Sequence, residues 1–346
     1  MNFPEMAATT SQPYSEQFAV FATTPDEPSA PQSWMASVAD AKYHWYDLVA
    51  GFPETPDIRD PIGRYQRRMQ FELEALAEKR HLFFAVTRPR VRFDTAGTVQ
   101  WGFFSLKLTL PLLMGTAETK ESISIELKVP FAATLKKPTV SLTPNFVTLN
   151  WGGLVEAFSI HDILQNHAHT LKVPSKVVYV GQTRDAEARL SKGRLPALQK
   201  LHAQSLGELD MLLLVQQVDV QVTCADGDPA DAAHNAHPVA VDALQGQRMD
   251  VVEAALIRYF EGSAASRLRS QEERALRSTR LQDAHINSNL VNLTIDLQLD
   301  QASHYRYLGS EHVAAAKRHL LSCYIADGAA MVAPLPLPLP AKGAKN

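Results

Sequence analysis

Three side chains of types suited to work on a phosphate ester stand in order along this chain: Tyr179, Arg189 and Glu253. Tyr179 lies in the run Val177-Val178-Tyr179-Val180-Gly181-Gln182-Thr183-Arg184-Asp185, where a β-branched strand meets a glycine and turns through polar residues. Arg189 follows on what reads as a helix. Glu253 belongs to Glu253-Ala254-Ala255-Leu256-Ile257-Arg258-Tyr259-Phe260, where a carboxylate precedes an apolar run. Cutting a phosphodiester needs an activated water, a cation to offset charge at phosphorus, and help for the leaving oxygen. One carboxylate can anchor Mg²⁺ or Mn²⁺, which keeps its waters and takes substrate phosphate as a further ligand. A guanidinium grips phosphate as a two-pronged fork. Each residue alone is ordinary: a strand aromatic, a solvated helix arginine, a helix-surface glutamate.

Residues 175–262 together resemble a GIY-YIG nuclease domain. Tyr179-Val180-Gly181-Gln182-Thr183 is similar to the second half of that signature, Arg189 stands where the family's helix carries its catalytic arginine, and Glu253 stands where a later helix presents a metal-binding glutamate. Gly181, Gln182 and Thr183 are thus the fold signature. The resemblance implies a metal-dependent DNA endonuclease in which Tyr179 orients or deprotonates water, Arg189 holds phosphate and Glu253 holds Mg²⁺ or Mn²⁺. It also implies a small central antiparallel sheet flanked by helices. The chain departs from the pattern in places. Residues 167–174, His167-Ala168-His169-Thr170-Leu171-Lys172-Val173-Pro174, hold no Gly-Ile-Tyr, and Gly193 stands where many members have His or Tyr. His202, later on the same helical stretch, is the substitute candidate. The family's Asn after the glutamate helix has Asn287, Asn289 and Asn292 as candidates. These departures favour an alternative: a catalytically degenerate GIY-YIG-fold module that binds nucleic acid or protein.

The elements that would position these groups define an α+β protein. Residues 1–33, rich in Ser, Thr, Pro and Ala, read as a disordered tail. Residues 34–155 read as a β-rich domain of unknown role and a surface for a protein partner. Asp60-Pro61 opens a helix to about Lys79, and strands are expected at His81–Thr87, Val91–Phe93, Thr98–Leu110, Ser122–Val129 and Thr139–Leu149. Residues 156–326 read as the nuclease-like domain with insertions. It has strands at Lys176–Val180, Met211–Val218 and Leu290–Leu299, and helices at Ile160–His167, Ala186–Gln204, Gln247–Glu261, Arg267–Arg280 and Ser310–Ala326. Residues 327–346 read as a proline-rich tail.

Composition restrains the functional reading. The net charge is -3, and residues 175–262 carry 8 Lys/Arg against 12 Asp/Glu, so DNA affinity must come from a local patch. Arg267, Arg274 and Arg277 share one face of the expected helix and, with Asn287, are the nucleic-acid-binding candidates. Five histidines (His161, His167, His169, His234 and His237) lack the spacing of a closed metal site, and two cysteines form no framework. The reduced thiols, the absence of a membrane-length apolar run and the lack of a leader pattern lead to an expected cytoplasmic location.

Overall fold

In the computed structural model the described residues are 30–51, 53–76, 80–103, 105–128, 137–167, 169–183, 196–205, 207–224, 238–262, 269–299, 307–326 and 329–337. Their elements run β1 (Gln32–Trp45), α1 (Tyr46–Val49), α2 (Pro61–Glu74), β2 (His81–Pro89), β3 (Val91–Phe93), β4 (Gln100–Trp101), β5 (Lys107–Met114), β6 (Thr119–Glu126), β7 (Thr139–Leu142), β8 (Phe146–Asn150), β9 (Val155–Ser159), α3 (Ile160–Asn166), β10 (Ser175–Thr183), α4 (Pro196–Ser205), β11 (Leu209–Cys224), α5 (Pro238–Glu261), α6 (Gln271–Ser288), β12 (Leu290–Gln298), β13 (Leu308–Gly309), β14 (Arg318–Ala326) and β15 (Ala329–Pro334). The fold is mixed α and β, as the sequence leads one to expect. No helix among the described residues is long and apolar enough to cross a membrane.

One eight-stranded sheet organises the molecule, in the order β13-β10-β2-β11-β1-β12-β14-β15. The β1–β12 and β10–β13 pairs are parallel and the others antiparallel. Its strands come from both sides of residue 155, so the expected boundary there does not separate two sheets. The segment between β2 and β10 builds two smaller sheets, β3-β5-β4 with β6 on β5, and β7-β8-β9. Asp210 of β11 ties this segment to the main sheet. Its buried carboxylate accepts from the Val91 N–H at 2.8 Å and Arg92 Nη1 at 2.7 Å, and meets His161 Nε2 at 3.0 Å. Burial pushes the Asp210 pKa up, but the His161 bond and charge, Arg92 and the Val91 N–H outweigh it and hold the carboxyl below its ordinary value.

Local signals set many of these elements. Asp60 caps α2 by accepting the Gly63 N–H at 3.1 Å, and Pro61 fills its first turn. Three expectations fail where pairing overrides a local pattern. The segment expected as a helix from Ser310 to Ala326 is instead a turn followed by β14. Ser310 does cap, accepting the N–H groups of His312 and Val313 at 3.1 Å, but only for one turn. Beyond it, alternate residues His319, Leu321 and Cys323 are buried as the strand pairs with β12 and β15. The tail expected to reach residue 33 already enters β1 at Gln32. The tail expected from residue 327 holds β15, whose Pro334 pairs with Leu321.

On β1, opposite Leu213 of β11, His44 is 0% exposed and neither ring nitrogen has a hydrogen-bond partner. Burial, aided by the Lys42 charge, pushes its pKa down to about 3. The unfolded chain therefore takes this proton first as pH falls. The resulting stability is intact above about pH 6.5 and is lost progressively toward pH 3, at about 1.4 kcal/mol per unit. Urea unfolding at pH 7 and pH 4.5 should show wild type losing roughly 2–3 kcal/mol more than His44→Met. Parallel losses in the two proteins would mean that His44 is not neutral in the folded state.

Candidate functional site

Strand β10 carries the signature residues. Val177, Val178 and Val180 favour its extended backbone, and it pairs with β2 through Val180↔Phe84, Gly181↔Phe83, Gln182↔Leu82 and Thr183↔His81. A Cβ on Gly181 would lie 2.6 Å from Phe83 Cζ and 3.0 Å from Tyr179 Cε1, so only glycine permits this close approach. Side chains alternate along the strand. Tyr179 packs with Phe83, Leu198 and Leu201 on one face, its ring 6.0 Å from that of Phe83. Val180 and Gln182 point to the other face, which α5 covers with Val252, Ala255, Leu256 and Phe260.

On that second face two carboxylates of α5 converge. Gln182 Nε2 donates to Asp250 Oδ1 and, at 3.2 Å, to Glu253 Oε2. Arg280 of α6 also reaches both carboxylates, with Nη1 3.5 Å from Asp250 and 3.6 Å from Glu253. Glu253 is 1% exposed, whereas the side chains of Asp250 and Arg280 are 29% and 27% exposed. One turn before Asp250, the Arg80 guanidinium lies over Gly246, where a Cβ would meet it at 2.4 Å. A cavity of about 330 Å³ opens beside the cluster, between α5, α6 and the ends of β1 and β11.

A second ion pair closes the edge of β10. Among the described residues, strand β13 pairs with β10 at Ser175 and Lys176. At Val180 the edge is closed instead by Glu261, which accepts the Val180 N–H at 3.1 Å, and Arg269, which donates to the Val180 carbonyl. Arg269 also donates to Glu261, from Nη2 at 2.6 Å and Nε at 3.0 Å, and stacks over the Tyr179 ring at 4.2 Å. Burial would lower the Arg269 pKa. The bonds and charge of Glu261, with the charges of Tyr179 and Glu253, outweigh that effect and raise it. Arg269 therefore stands within electrostatic reach of both Tyr179 and Glu253, which occupy opposite faces of the sheet.

No family model, curated protein or solved structure matches this chain.

The structure thus brings Gln182 and Glu253 together and leaves Tyr179 on the opposite face of β10. His202 lies on the Tyr179 face, its Nε2 3.0 Å from Asp47 Oδ1 and its ring edge-on to Tyr46 at 5.4 Å. Thr183 is buried at the strand end, and Asn287 lines the cavity. Arg189, Gly193 and Arg267 lie outside the described residues, as do the side chains of Arg274 and Arg277 on α6. Sequence reasoning missed Asp250, although its position three residues before Glu253 on a helix puts both carboxylates on one face. Nor did it single out Arg269 or Arg280. Their separate roles depend on where α6 crosses α5, which no spacing in the sequence reveals.

The residues suit a hard divalent cation. Asp250 and Glu253 are oxygen donors of the kind Mg²⁺ and Mn²⁺ take, but Gln182 turns its amide nitrogen, which cannot ligate, toward both of them. Among the described residues no group of three or more His, Cys, Asp and Glu side chains gathers. A cation held by these two carboxylates alone would need water and phosphate to complete its shell.

Proposed function

We propose that this chain is a divalent-metal-dependent endonuclease of the GIY-YIG type that hydrolyses phosphodiester bonds in DNA. The observation that carries the reading is the convergence of Glu253 and Asp250 from α5 on Gln182, at the end of the strand that bears Tyr179 and Gly181. The antiparallel trio β10-β2-β11 has α5 against β10, but it lies inside a mixed eight-stranded sheet rather than the small antiparallel sheet that the resemblance implies. In this reading the missing first signature strand is β2, separated from β10 by the inserted segment β3 to α3. It brings Phe83, an aromatic without a hydroxyl, against Tyr179. The inserted sheets are the part that would meet a target or protein partner.

Asp250 and Glu253 hold Mg²⁺ or Mn²⁺, which when bound supplies Lewis-acid polarisation of the phosphate and acidifies a water. Arg280, beside the same carboxylates and partly exposed, receives a phosphate oxygen. Arg189 is the second phosphate ligand that the resemblance implies. The resemblance gives Tyr179 the attacking water; in the structure it packs, 7% exposed, on the face of β10 opposite Glu253 with Arg269 over its ring, and that geometry counts against the role. If it holds the water, Tyr179→Phe, which removes only the hydroxyl, should slow nicking by roughly 100-fold. A loss below tenfold in single-turnover cleavage would make Tyr179 a packing residue.

The test of the reading is incubation with supercoiled plasmid and Mg²⁺ or Mn²⁺, beside Glu253→Ala. Nicking by wild type alone supports it. A specific observation favours a second reading, a binding module of the same fold: Glu253 is nearly inaccessible and already bonded to Gln182. Plasmid retained but never nicked would establish that reading.

A further inference from the structure

The burial of Glu253 limits how a substrate can reach it. At 1% exposure its carboxylate cannot be touched by a phosphate gliding over the protein surface. The exposed members of the cluster are Asp250 and Arg280, and both also line the 330 Å³ cavity between α5 and α6. The cavity therefore leads to Asp250 and Arg280, the two neighbours of Glu253 that a ligand can reach. A paired duplex presents a stiff rod, its bases stacked inside, that a recess of this size cannot admit. A single nucleotide out of its stack can enter, and the strand's own phosphate then follows it inward.

The cavity's chemistry matches a nucleobase. Trp34 and Val222 give it apolar and aromatic surface, while Gln247 and Asn287 offer exposed amides. An amide presents a donor and an acceptor side by side, the arrangement that reads a base edge, and aromatic surface suits an unstacked base. The charges in the wall balance, Arg248 and Arg280 against Asp250 and Asp283, so the recess suits a neutral, edge-patterned ring better than a bare anion.

We propose that this cavity receives one unstacked nucleotide of the substrate strand, next to the phosphate to be cut. The proposal rests on the nuclease reading for its substrate. It predicts a preference for bulged, mismatched or single-stranded DNA over perfect duplex.

The experiment uses the full chain with Ca²⁺, to stall cleavage, and two fluorescent oligonucleotides carrying 2-aminopurine. In one the probe lies in a single-nucleotide bulge, in the other in a fully paired duplex. The bulged DNA should bind roughly tenfold tighter, with a change in 2-aminopurine fluorescence on binding. Gln247→Ala and Asn287→Ala, both at exposed positions and so harmless to folding, should erase most of that preference. Equal affinity for the two DNAs, or a preference untouched by both variants, would overturn the proposal. A bulge preference that depends on these residues, in a protein that never nicks plasmid with Mg²⁺ or Mn²⁺, would keep the nucleotide pocket and sink the nuclease reading. Nicking of perfect duplex as fast as bulged DNA would do the reverse.

Discussion

Glu253→Gln is expected to reduce metal-dependent nicking by about 10³-fold or more, equivalent to about 4 kcal/mol of transition-state stabilisation. The substitution keeps the side chain's shape and can retain its contact with Gln182, 3.2 Å away. What it removes is the charge. Asp250 alone, 29% exposed at its side chain, is then the remaining carboxylate at the point where two converge. The same change should leave the fold intact. Arg280 keeps Asp250 at 3.5 Å as its counter-charge, so no buried cation is left unpaired. The measurement is single-turnover plasmid cleavage as a function of Mn²⁺, paired with a thermal melt of both proteins. If the variant melts like wild type and nicks equally well, the carboxylate is not part of a metal site. If it unfolds, the ion cluster is structural, and Asp250→Asn at the more exposed position becomes the decisive variant.

Arg269→Met should destabilise the protein by roughly 3–5 kcal/mol. The guanidinium is buried and serves three partners at once: the Glu261 carboxylate, the Val180 carbonyl and the Tyr179 ring. Removing it leaves a carboxylate, 8% exposed, without its counter-charge, and the Val180 carbonyl without its donor. The double variant Glu261→Gln with Arg269→Met should recover part of the loss, because it no longer buries a lone charge. Urea unfolding of the two single variants and the double variant supplies the cycle. Losses that simply add would mean that the two side chains do not act as a pair.

Much of this was legible locally. The alternation of Ser122 to Glu126, the Asp60-Pro61 start and the apolar spacing of Val251, Val252, Ala255, Leu256 and Phe260 depend on contacts within one element, and the corresponding strand and helices are present. Ser310–Ala326 shows where local reading stops. Its apolar residues suit helix or strand alike, and the choice went to strand because β12 and β15 flank it with unsatisfied backbone groups. β1 went unread for a similar reason: it pairs with β11 along its length and, over residues 32–37, with β12 as well, which no propensity within Gln32–Trp45 announces.

The same division holds for the site. By itself the sequence determined which chemistry is at hand: a glycine that permits close approach after Tyr179, an amide at Gln182, and a carboxylate on the face of an amphipathic helix. These follow from residue type and from periods of two and 3.6. Only the tertiary structure decided which of them meet. Pleating puts Tyr179 and Gln182 on opposite faces of β10, the register of α5 brings Asp250 beside Glu253, and the crossing of α6 supplies Arg280. Those are long-range packing choices, made by burying apolar faces against one another, and they carry the polar groups along with them.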